Sequence, residues 1–259
     1  MTDAAVLYTV LDGVATVTLN RPEQRNTLNA DSLPPLLAAL QDAATDEQVR
    51  AVVLTGSGNT FCSGADLSGA ASDAGGFAAS GPRLTASVLQ TLLDHPKPTI
   101  ARVQGHVAGG GNGLVAACDL AVAAQDARFA FSEVRVGVAP AVISVVCLRV
   151  MAPRQAAELM LTGERVDAQR ALRAGLLTAV VPAADLDAAV GAWCAQLRLG
   201  GPAAVAATKQ LLRRVPTLSR DAAFAYTSEL SARLFAGEEA AEGMAAFVQR
   251  RQPSWAPST

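Results

Sequence analysis

Residues 50–67, RAVVLTGSGNTFCSGADL, place a buried strand directly before a glycine-rich loop. The run RAVVLT (50–55) is almost continuously apolar, which is typical of a strand covered on both faces. Gly56-Ser57-Gly58-Asn59 then predicts a loop. Strands covered on both faces belong to sheets that carry helices on each side, so this segment predicts an α/β fold.

Strands and helices continue to alternate on both sides of this segment. VLYTVLDGVATVTLN (6–20) predicts a β-hairpin with Asp12-Gly13 at its turn, and Asp31-Ser32 predicts a helix start. Further strands are predicted at 99–104, 119–123 and 128–131, and further helices at 112–118, 140–151, 153–162, 169–174 and from about 184 onward. The chain is therefore predicted to be α/β over roughly its first 180 residues and nearly all helical after them.

One long stretch, SGAASDAGGFAASGPR (68–83), is small, polar and rich in residues that break helices and strands. We expect a mobile loop or a weakly formed helix start there, which would serve as a lid or a pocket wall. A helix is predicted to follow only at 84–93, before Pro96 and Pro98.

The charge balance excludes several classes of partner. The chain has 259 residues, 21 of them basic and 23 acidic, for a formal net charge of −2. No global field for nucleic acid or an anionic membrane follows from this balance. Because 51% of the residues are hydrophobic and 17% are charged, we expect part of the apolar surface to be used in subunit contacts.

The N-terminal sequence and the cysteines favour a cytoplasmic protein. MTDAAVLYTV has no basic stretch and no continuous apolar run, unlike a signal peptide. Asp119 and Arg149 interrupt the richest apolar stretches, so no membrane span is expected. The four cysteines are widely spaced and are predicted to be reduced and packed: Cys62, Cys118, Cys147 and Cys194.

Only two histidines are present, His95 and His106, and neither has a Cys, His or Glu at metal-ligand spacing. We therefore predict no metal site and no Ser-His-Asp triad, and no G-x-S-x-G sequence occurs. The glycine run from Gly109 fails the dinucleotide-binding pattern, because Leu114 stands at its third glycine position. Both histidines are expected to be structural or exposed.

Two glycine-bearing loops and a few acidic residues remain as candidates for chemistry. A strand that leads through a glycine loop into a helix leaves backbone N–H groups without partners. Two such loops together would hold one oxygen between two donors, the arrangement that stabilises an oxyanion. Taken alone, each loop is more often a tight packing turn.

Five stretches together resemble the enoyl-CoA hydratase/isomerase (crotonase) superfamily, in order and spacing, over essentially the whole chain. They are Asn20-Arg21-Pro22 with Asn26-Thr27-Leu28-Asn29, VLTGSGNTFCSGADL (53–67), VQGHVAGGGNGLVAACDLAVA (103–123), FSEVRVGVAP (131–140) and FAGEEAAEGMAAFVQRRQPSW (235–255). The F-C-S-G-A-D-L and G-G-G-x-x-L-x-x-x-C-D motifs are specific as a pair, although either alone carries modest weight.

The resemblance implies an α/β fold of the crotonase-like (ClpP/crotonase) type, a spiral of ββα units followed by a C-terminal helical trimerisation region. It implies a core with a CoA thioester site over residues 1–195 and an oligomerisation region over 196–259. It also implies a homotrimer, or a hexamer built as a dimer of trimers. The implied substrate is an acyl-CoA thioester, with no tightly bound cofactor.

The resemblance further implies roles for individual residues. The backbone N–H groups of Ala65 and Gly110 would form the oxyanion hole for the thioester oxygen, and Glu133 would be the acid/base. Gly110 begins a predicted helix, so the positive end of the helix dipole would add to its hydrogen bond. Coenzyme A would be held by these backbone groups and by Gln24, Arg25, Ser63 and Asp66, although the favoured interpretation of Asp66 is that it fixes its turn.

Two further features have an alternative, structural interpretation. Lys209, Arg213 and Arg214 lie at helical spacing and would attract CoA phosphates, but a solvated basic face is the favoured interpretation. Glu133 itself would be structural if it were exposed or paired with Arg135.

The sequence departs from the family pattern at Gly113. Well-known hydratases carry a first glutamate at this position of G-G-G-x-E and a second at the position of Glu133. One carboxylate suffices to move a proton between two carbons, which is the isomerisation of a 3-enoyl to a 2-enoyl thioester. Syn hydration also needs a positioned water. The stretch SEVRVGVAPAVIS (132–144) nevertheless resembles a subgroup associated with hydration of branched-chain or isoprenoid acyl-CoA, which also carries G-G-G-x-G-L.

We therefore expect an enoyl-CoA hydratase, a lyase, with Glu133 as its single acid/base. A 3,2-enoyl-CoA isomerase and a non-catalytic acyl-CoA-binding homologue remain as alternatives. The acyl pocket is expected to be formed by the 68–83 loop and by Val138–Val146, where small residues such as Ala139, Ala141 and Ser144 would leave room.

Overall fold

The computed structural model describes residues 4–66 and 77–257, and within them it contains ten strands and ten α-helices. The strands are β1 (Val6–Leu11), β2 (Val14–Leu19), β3 (Ala51–Gly56), β4 (Thr60–Cys62), β5 (Thr99–Val103), β6 (His106–Ala108), β7 (Leu120–Ala124), β8 (Arg128–Ala130), β9 (Arg165–Asp167) and β10 (Ala179–Val181). The helices are α1 (Leu33–Thr45), α2 (Phe77–Asp94), α3 (Gly110–Ala117), α4 (Ala141–Val150), α5 (Pro153–Thr162), α6 (Ala168–Arg173), α7 (Leu186–Leu199), α8 (Pro202–Arg214), α9 (Arg220–Phe235) and α10 (Glu238–Gln249).

The predicted N-terminal hairpin is confirmed. β1 and β2 pair antiparallel, and Leu11 faces Val14 across a two-residue turn. Asp12 and Gly13 both have positive φ, at 48° and 73°. A two-residue turn with positive φ at both positions matches the twist of a hairpin, and Asp-Gly adopts it readily.

A six-stranded sheet in the order β1-β2-β3-β5-β7-β10 forms the centre of the molecule. All pairs after the first hairpin are parallel, and every residue of β3 is buried. Alternate residues of the central strands face opposite sides of the sheet: Val53, Ile100 and Val122 pack with α7. Val52, Leu54 and Val103 belong to the larger core on the other side, with side chains of α1, α2 and α3. The prediction of a strand covered on both faces is therefore confirmed.

A second, smaller sheet holds β4, β6, β8 and β9 in that order. Chain order shows how it forms: β3-β4-α2, β5-β6-α3 and β7-β8-α4 are successive ββα units that each give one strand to each sheet. β4, β6 and β8 are neighbours and run parallel. Their carboxyl ends therefore meet at one edge of the small sheet, and the loops that follow them must lie side by side.

One sequence prediction is wrong in part. The helix predicted at 84–93 begins at Phe77. Residues 77–83 are therefore helical despite Pro82, which agrees with the weakly formed helix start and not with the loop, the two expectations for 68–83. Core packing of Val88, Leu89 and Leu92 fixes the later turns of α2, and a helix that is anchored in this way tolerates weak formers at its start. Residues 68–76 of that loop lie outside the described residues.

The C-terminal segment is helical, as predicted, since β10 is the last described strand and α7 to α10 follow it. The division predicted between residues 195 and 196 falls inside α7 and stays a prediction. α8 is fixed to the core by Lys209, whose Nζ lies 2.7 Å from Asp119 Oδ2 and donates to the carbonyls of Leu92 and Lys97 at 3.1 and 3.2 Å. Asp119 also accepts from Thr99.

This ion pair contradicts both interpretations of the predicted basic face for Lys209, whereas Arg214 is exposed. Lys209 is 6% exposed, so it can neither meet CoA phosphates nor form a solvated surface. Arg213 pairs with Asp94 at 2.5 Å, and the Arg214 guanidinium stacks 4.2 Å from the centre of the Tyr226 ring. Spacing along a helix places side chains on one face, but it does not show what that face packs against.

We predict that Lys209→Ala lowers the free energy of unfolding by about 3 kcal/mol, because it leaves the Asp119 carboxylate without its cation in a partly buried site. Arg102→Ala is the control, since Arg102 pairs with an Asp187 side chain that is 81% exposed, and exposed pairs contribute about 1 kcal/mol or less. Urea denaturation at pH 7 measures both. A Lys209→Ala loss no larger than that of Arg102→Ala would contradict the assignment of this pair as the anchor of α8.

Candidate active site

Three loops converge at the carboxyl edge of the small sheet. Ser63–Asp66 follow β4, Gly109 and Gly110 follow β6, and a short 3-10 turn at Ser132–Val136 follows β8. The strand register sets their heights, since Cys62 pairs with Val107 and Ala108 with Ala130. The structure thus brings together the sequence-predicted Ala65, Gly110 and Glu133.

Gly64 allows the first two loops to touch. Its φ is +87°, and a Cβ there would lie 2.9 Å from the Ala108 carbonyl oxygen and 3.2 Å from the Gly110 nitrogen. Any side chain would be strained by this φ and would separate the loops. Gly64 therefore sets Ala65 beside the amino end of α3.

Two backbone donors are left over at this contact. Within residues 4–66 and 77–257, no group accepts a hydrogen bond from the N–H of Ala65 or of Gly110. Gly110 is the first residue of α3, so its N–H is one of the donors that a helix cannot satisfy internally, and the helix dipole favours negative charge there. This arrangement can hold an anionic oxygen; the oxyanion role of both residues stays a prediction.

Glu133 faces the second loop from the 3-10 turn. Its Oε1 lies 3.5 Å from the place that a Cβ on Gly109 would occupy. Its Oε2 is buried and has no hydrogen-bond partner among the described residues. Burial raises the pKa of this carboxyl above its ordinary value, because removal from water disfavours the charged form.

The alternative of an Arg135-paired glutamate does not hold. The Arg135 Nε donates to the Thr162 carbonyl at 3.1 Å, and the ion pairs among the described residues do not include Glu133. A half-buried carboxyl with an unsatisfied oxygen and a raised pKa is suited to proton transfer.

Gly113 contributes no chemical group, and its surroundings explain why. A Cβ at this position would lie 2.5 Å from Ile143 Cγ2 and 3.4 Å from Leu89 Cδ1. α4 and α2 therefore close on the backbone of α3 at this point. The segment Val138–Val146 was predicted to shape an acyl pocket. Within it, Ile143 packs beside Gly113, whereas Ala139 and Ala141 are exposed.

The residues predicted to hold coenzyme A form one group. The Ser63 N–H donates to the Arg25 carbonyl at 3.1 Å, and the Asp66 N–H donates to the Leu28 carbonyl at 3.1 Å. Gln24 and Arg25 are exposed beside this strand-like contact. Their contact with a ligand stays a prediction.

Sequence reasoning assigned no role to Asn26, which organises this group. Asn26 is buried, and its Nδ2 donates to the carbonyls of Ser57 and Thr60 at 3.0 and 2.7 Å. Its Oδ1 accepts from the Arg21 N–H at 2.9 Å. The one available signal was an asparagine in the Asn26-Thr27-Leu28-Asn29 turn, a residue type that tolerates the positive φ of 53° found here.

The histidines and cysteines take structural positions. His95 is 2% exposed; the Lys97 N–H donates to its Nδ1 and its Nε2 donates to the Leu40 carbonyl, each at 3.1 Å. Burial lowers its pKa, and His106 is exposed. All four cysteines are free and buried, and burial raises the pKa of Cys62 and Cys118 to about 12, so these thiols are unreactive.

The described residues show neither a metal-binding cluster nor a membrane-spanning helix. They contain no group of three or more His, Cys, Asp or Glu side chains placed to hold a metal ion. No helix among them combines the length and apolar character needed to cross a membrane.

Comparison with known proteins gives one family. The sequence profile of the enoyl-CoA hydratase/isomerase family matches residues 9–258. The 2,3-dehydroadipyl-CoA hydratase of Escherichia coli K12 is 35% identical over 244 residues, which cover 93% of this chain and 94% of that protein.

Solved structures agree with this comparison. An enoyl-CoA hydratase from Mycobacterium smegmatis superimposes with a TM-score of 0.91 at 36% identity, over 97% of this chain and 98% of that one. The Pseudomonas aeruginosa protein AtuE gives a TM-score of 0.91 at 35% identity, over 98% and 100%. The predicted α/β spiral of ββα units is confirmed.

The contact at Gly113 generates a test by stability. We expect Gly113→Ala to lower the free energy of unfolding by about 1–3 kcal/mol, because its methyl group would overlap Ile143 in a packed core. Gly191→Ala is the matched control: Gly191 also lies in a helix, but a Cβ there meets nothing within 4 Å. It should raise stability by up to about 1 kcal/mol through helix propensity.

Ile143→Ala in the Gly113→Ala background should recover part of the loss, since it removes the overlapping Cγ2. Chemical denaturation of the wild type, Gly113→Ala, Ile143→Ala and the double variant gives the coupling free energy of the double-mutant cycle. Equal effects of Gly113→Ala and Gly191→Ala would show that α3 and α4 do not close at this point.

Proposed function

This chain belongs to the enoyl-CoA hydratase/isomerase family, and we propose that it is an enoyl-CoA hydratase that adds water to a 2-enoyl-CoA thioester. The observation that carries the proposal is the buried Glu133 oxygen, which has no partner among the described residues and lies beside two loops whose N–H donors have no acceptor there either. The E. coli relative, named as a hydratase of a 2,3-unsaturated acyl-CoA, supports the same reaction class.

The chemistry requires an enolate to be stabilised. Addition of water at the β-carbon of a 2-enoyl thioester moves negative charge onto the thioester oxygen. The N–H groups of Ala65 and Gly110 would donate to this oxygen as the charge develops. Loss of one such preorganised donor typically costs about 3–4 kcal/mol of transition-state stabilisation.

Glu133 would move the proton in this reaction. Its carboxylate takes a proton from water as the hydroxyl oxygen bonds to the β-carbon, and the resulting carboxylic acid returns that proton to the α-carbon. The water is thereby fully consumed and Glu133 ends in its starting state. A raised pKa suits both proton transfers. It makes the Glu133 carboxylate a stronger base toward water, and the carboxylic acid that forms is still able to protonate the α-carbon.

A second function is favoured by the apolar packing at Gly113. Ile143 and Leu89 occupy the space beside Gly113, so no second carboxylate is supplied there to orient water. A site with one carboxylate and an oxyanion hole moves a proton between the α- and γ-carbons with no water at all. The alternative is therefore 3,2-enoyl-CoA isomerisation by Glu133.

Coenzyme A would bind as part of the substrate and not as a resident cofactor. Gln24, Arg25, Ser63 and Asp66 stand around the Ala65 loop, and Arg25 is exposed and able to meet a phosphate. The buried free thiols suit a reducing compartment such as the cytoplasm.

We predict that Glu133→Gln lowers the turnover of crotonyl-CoA by 10²–10⁴-fold with little change in KM, the range typical for loss of a general acid/base. The wild-type rate should also fall as the pH drops through the raised Glu133 pKa, since the base must be ionised to accept a proton from water. Proton NMR time courses with 2-enoyl and 3-enoyl substrates separate hydration from double-bond migration.

Arg25→Ala is the contrast: it should raise KM and leave kcat unchanged, because the expected contact lies on the CoA part of the substrate. Double-bond migration without hydration would contradict the hydratase proposal and identify the protein as an isomerase. Binding of CoA thioesters without either reaction would identify a non-catalytic binding protein, and unchanged turnover in Glu133→Gln would contradict the mechanism.

We also propose that the chain assembles as a homotrimer or as a hexamer of two trimers. The C-terminal helices expose several large apolar side chains: Phe224 (68%), Phe235 (70%), Phe247 (86%) and Val248 (79%). Surfaces of this kind are rare on monomers.

Sedimentation equilibrium should give three or six times the chain mass, and Phe247→Glu should reduce it. Asp42→Lys, a charge reversal at an exposed position of α1, is the control and should leave the assembly intact. A single-chain mass for the wild type at micromolar concentration would contradict the proposal.

A further inference from the structure

Asn112 lies in the first turn of α3 and is fully buried, with 0% exposure. Its Nδ2 donates to the Ala130 carbonyl at 2.8 Å. The same carbonyl accepts from the Gly109 N–H at 3.1 Å, and the Gly109 carbonyl accepts from the Asn112 N–H at 2.9 Å. These three bonds form a closed set that joins the end of β8 to the start of α3.

This set of hydrogen bonds links the expected oxyanion donor to the expected acid/base. Gly109 directly precedes Gly110, the expected oxyanion donor, and Ala130 lies three residues before Glu133. Glu133 Oε1 reaches to 3.5 Å from the Cβ position of Gly109. The Asn112 carbonyl is also within 3.8 Å of Cys147 Sγ on α4, and the Glu133 charge raises the pKa of that thiol after the larger effect of burial.

We propose that Asn112 is a positioning residue, which fixes the Glu133 carboxyl relative to the first turn of α3. The inference rests on the proposed function, because Glu133 is its acid/base. Gly113 supplies no second carboxylate beside Glu133, so the proposed reaction depends on the distance between the Glu133 carboxyl and the enolate carbon. Misplacement by a fraction of an ångström already costs rate in such a site.

Stability alone does not account for this asparagine. Its Oδ1 is buried and has no partner among the described residues, and an unsatisfied buried acceptor destabilises a fold. The Ala130 carbonyl would still hold the Gly109 N–H if the amide were removed. A substitution that removes the amide should therefore affect the position of Glu133 more than the stability of the fold.

The test compares Asn112→Leu, which has the same branched shape and no donor, with Asn112→Asp, which preserves the size of the side chain. Leu40→Ala is the control for general destabilisation, since Leu40 is fully buried in α1. The reaction is exchange of the α-protons of butyryl-CoA in D₂O, followed by NMR. This exchange needs only a base and an oxyanion hole, so hydratase and isomerase both carry it out.

We expect Asn112→Leu to slow exchange at least tenfold with KM within threefold of the wild type and with no loss of melting temperature. In the Glu133→Gln background, the same substitution should change the residual rate by less than twofold. Leu40→Ala should lower the melting temperature and leave exchange within twofold. An equal loss from Asn112→Leu in both backgrounds would overturn the proposal, because Asn112 would then act independently of Glu133.

A second readout does not depend on activity. Carboxyl ¹³C NMR, with Glu133→Gln to identify the resonance, measures the pKa of Glu133 directly. Asn112→Leu should lower this pKa towards its ordinary value as the carboxyl gains access to water, and Asn112→Asp should raise it through like-charge repulsion. Unchanged values in both variants would overturn the positioning role, whereas a wild type that binds CoA thioesters without exchange would instead overturn the proposed function.

Discussion

The parallel pairing of β4, β6 and β8 is the constraint on which the site depends. These strands have three residues each, so the small sheet is held mainly by the larger structure around it. Each strand is the second of a ββα unit whose first strand lies in the central sheet. The strand register of the central sheet therefore fixes the positions of the short strands. As a result, residues of the central sheet, which lie away from the candidate site, align the three loops at the edge of the small sheet.

The sequence allowed much of this fold to be predicted. The Asp12-Gly13 hairpin, the doubly covered β3 and the helical C-terminal part follow from local pattern, because turn chemistry and hydrophobic period are properties of neighbouring residues. The short strands β4 and β6 were not predicted. Three residues carry too little periodicity to be recognised, and their pairing involves partners more than 40 residues apart in the chain.

The same limit applies to the candidate site. Ala65, Gly110 and Glu133 were identified by resemblance, and the structure brings them together at one edge. The reason for glycine at 113 could not be predicted, since it lies in the approach of Ile143 from a helix 30 residues later. The burial of Lys209 was missed for the same reason: a helical face shows its own residues but not its neighbour.

Glu133 and Asn112 belong to a small set of side chains that have a buried polar atom without a partner among the described residues, a set that also includes Tyr8, Thr27 and Thr85. Each has a buried oxygen without a described partner, which lowers stability, whereas Asn26 has both ends of its amide satisfied. The raised pKa of Glu133 sets how its contribution to the free energy of unfolding depends on pH. Because the fold disfavours the carboxylate form, this contribution is most favourable below the ordinary carboxyl pKa. It is lost as the pH rises through the pKa of the folded state. Ionisation of Glu133 in the fold therefore costs stability, because the burial that raises its pKa also removes water from part of the carboxyl. Access of water to the β-carbon from the other side of the carboxyl decides between hydration and proton transfer alone. Gly113 has no side chain that could position this water. The backbone at the edge of the small sheet therefore controls its access.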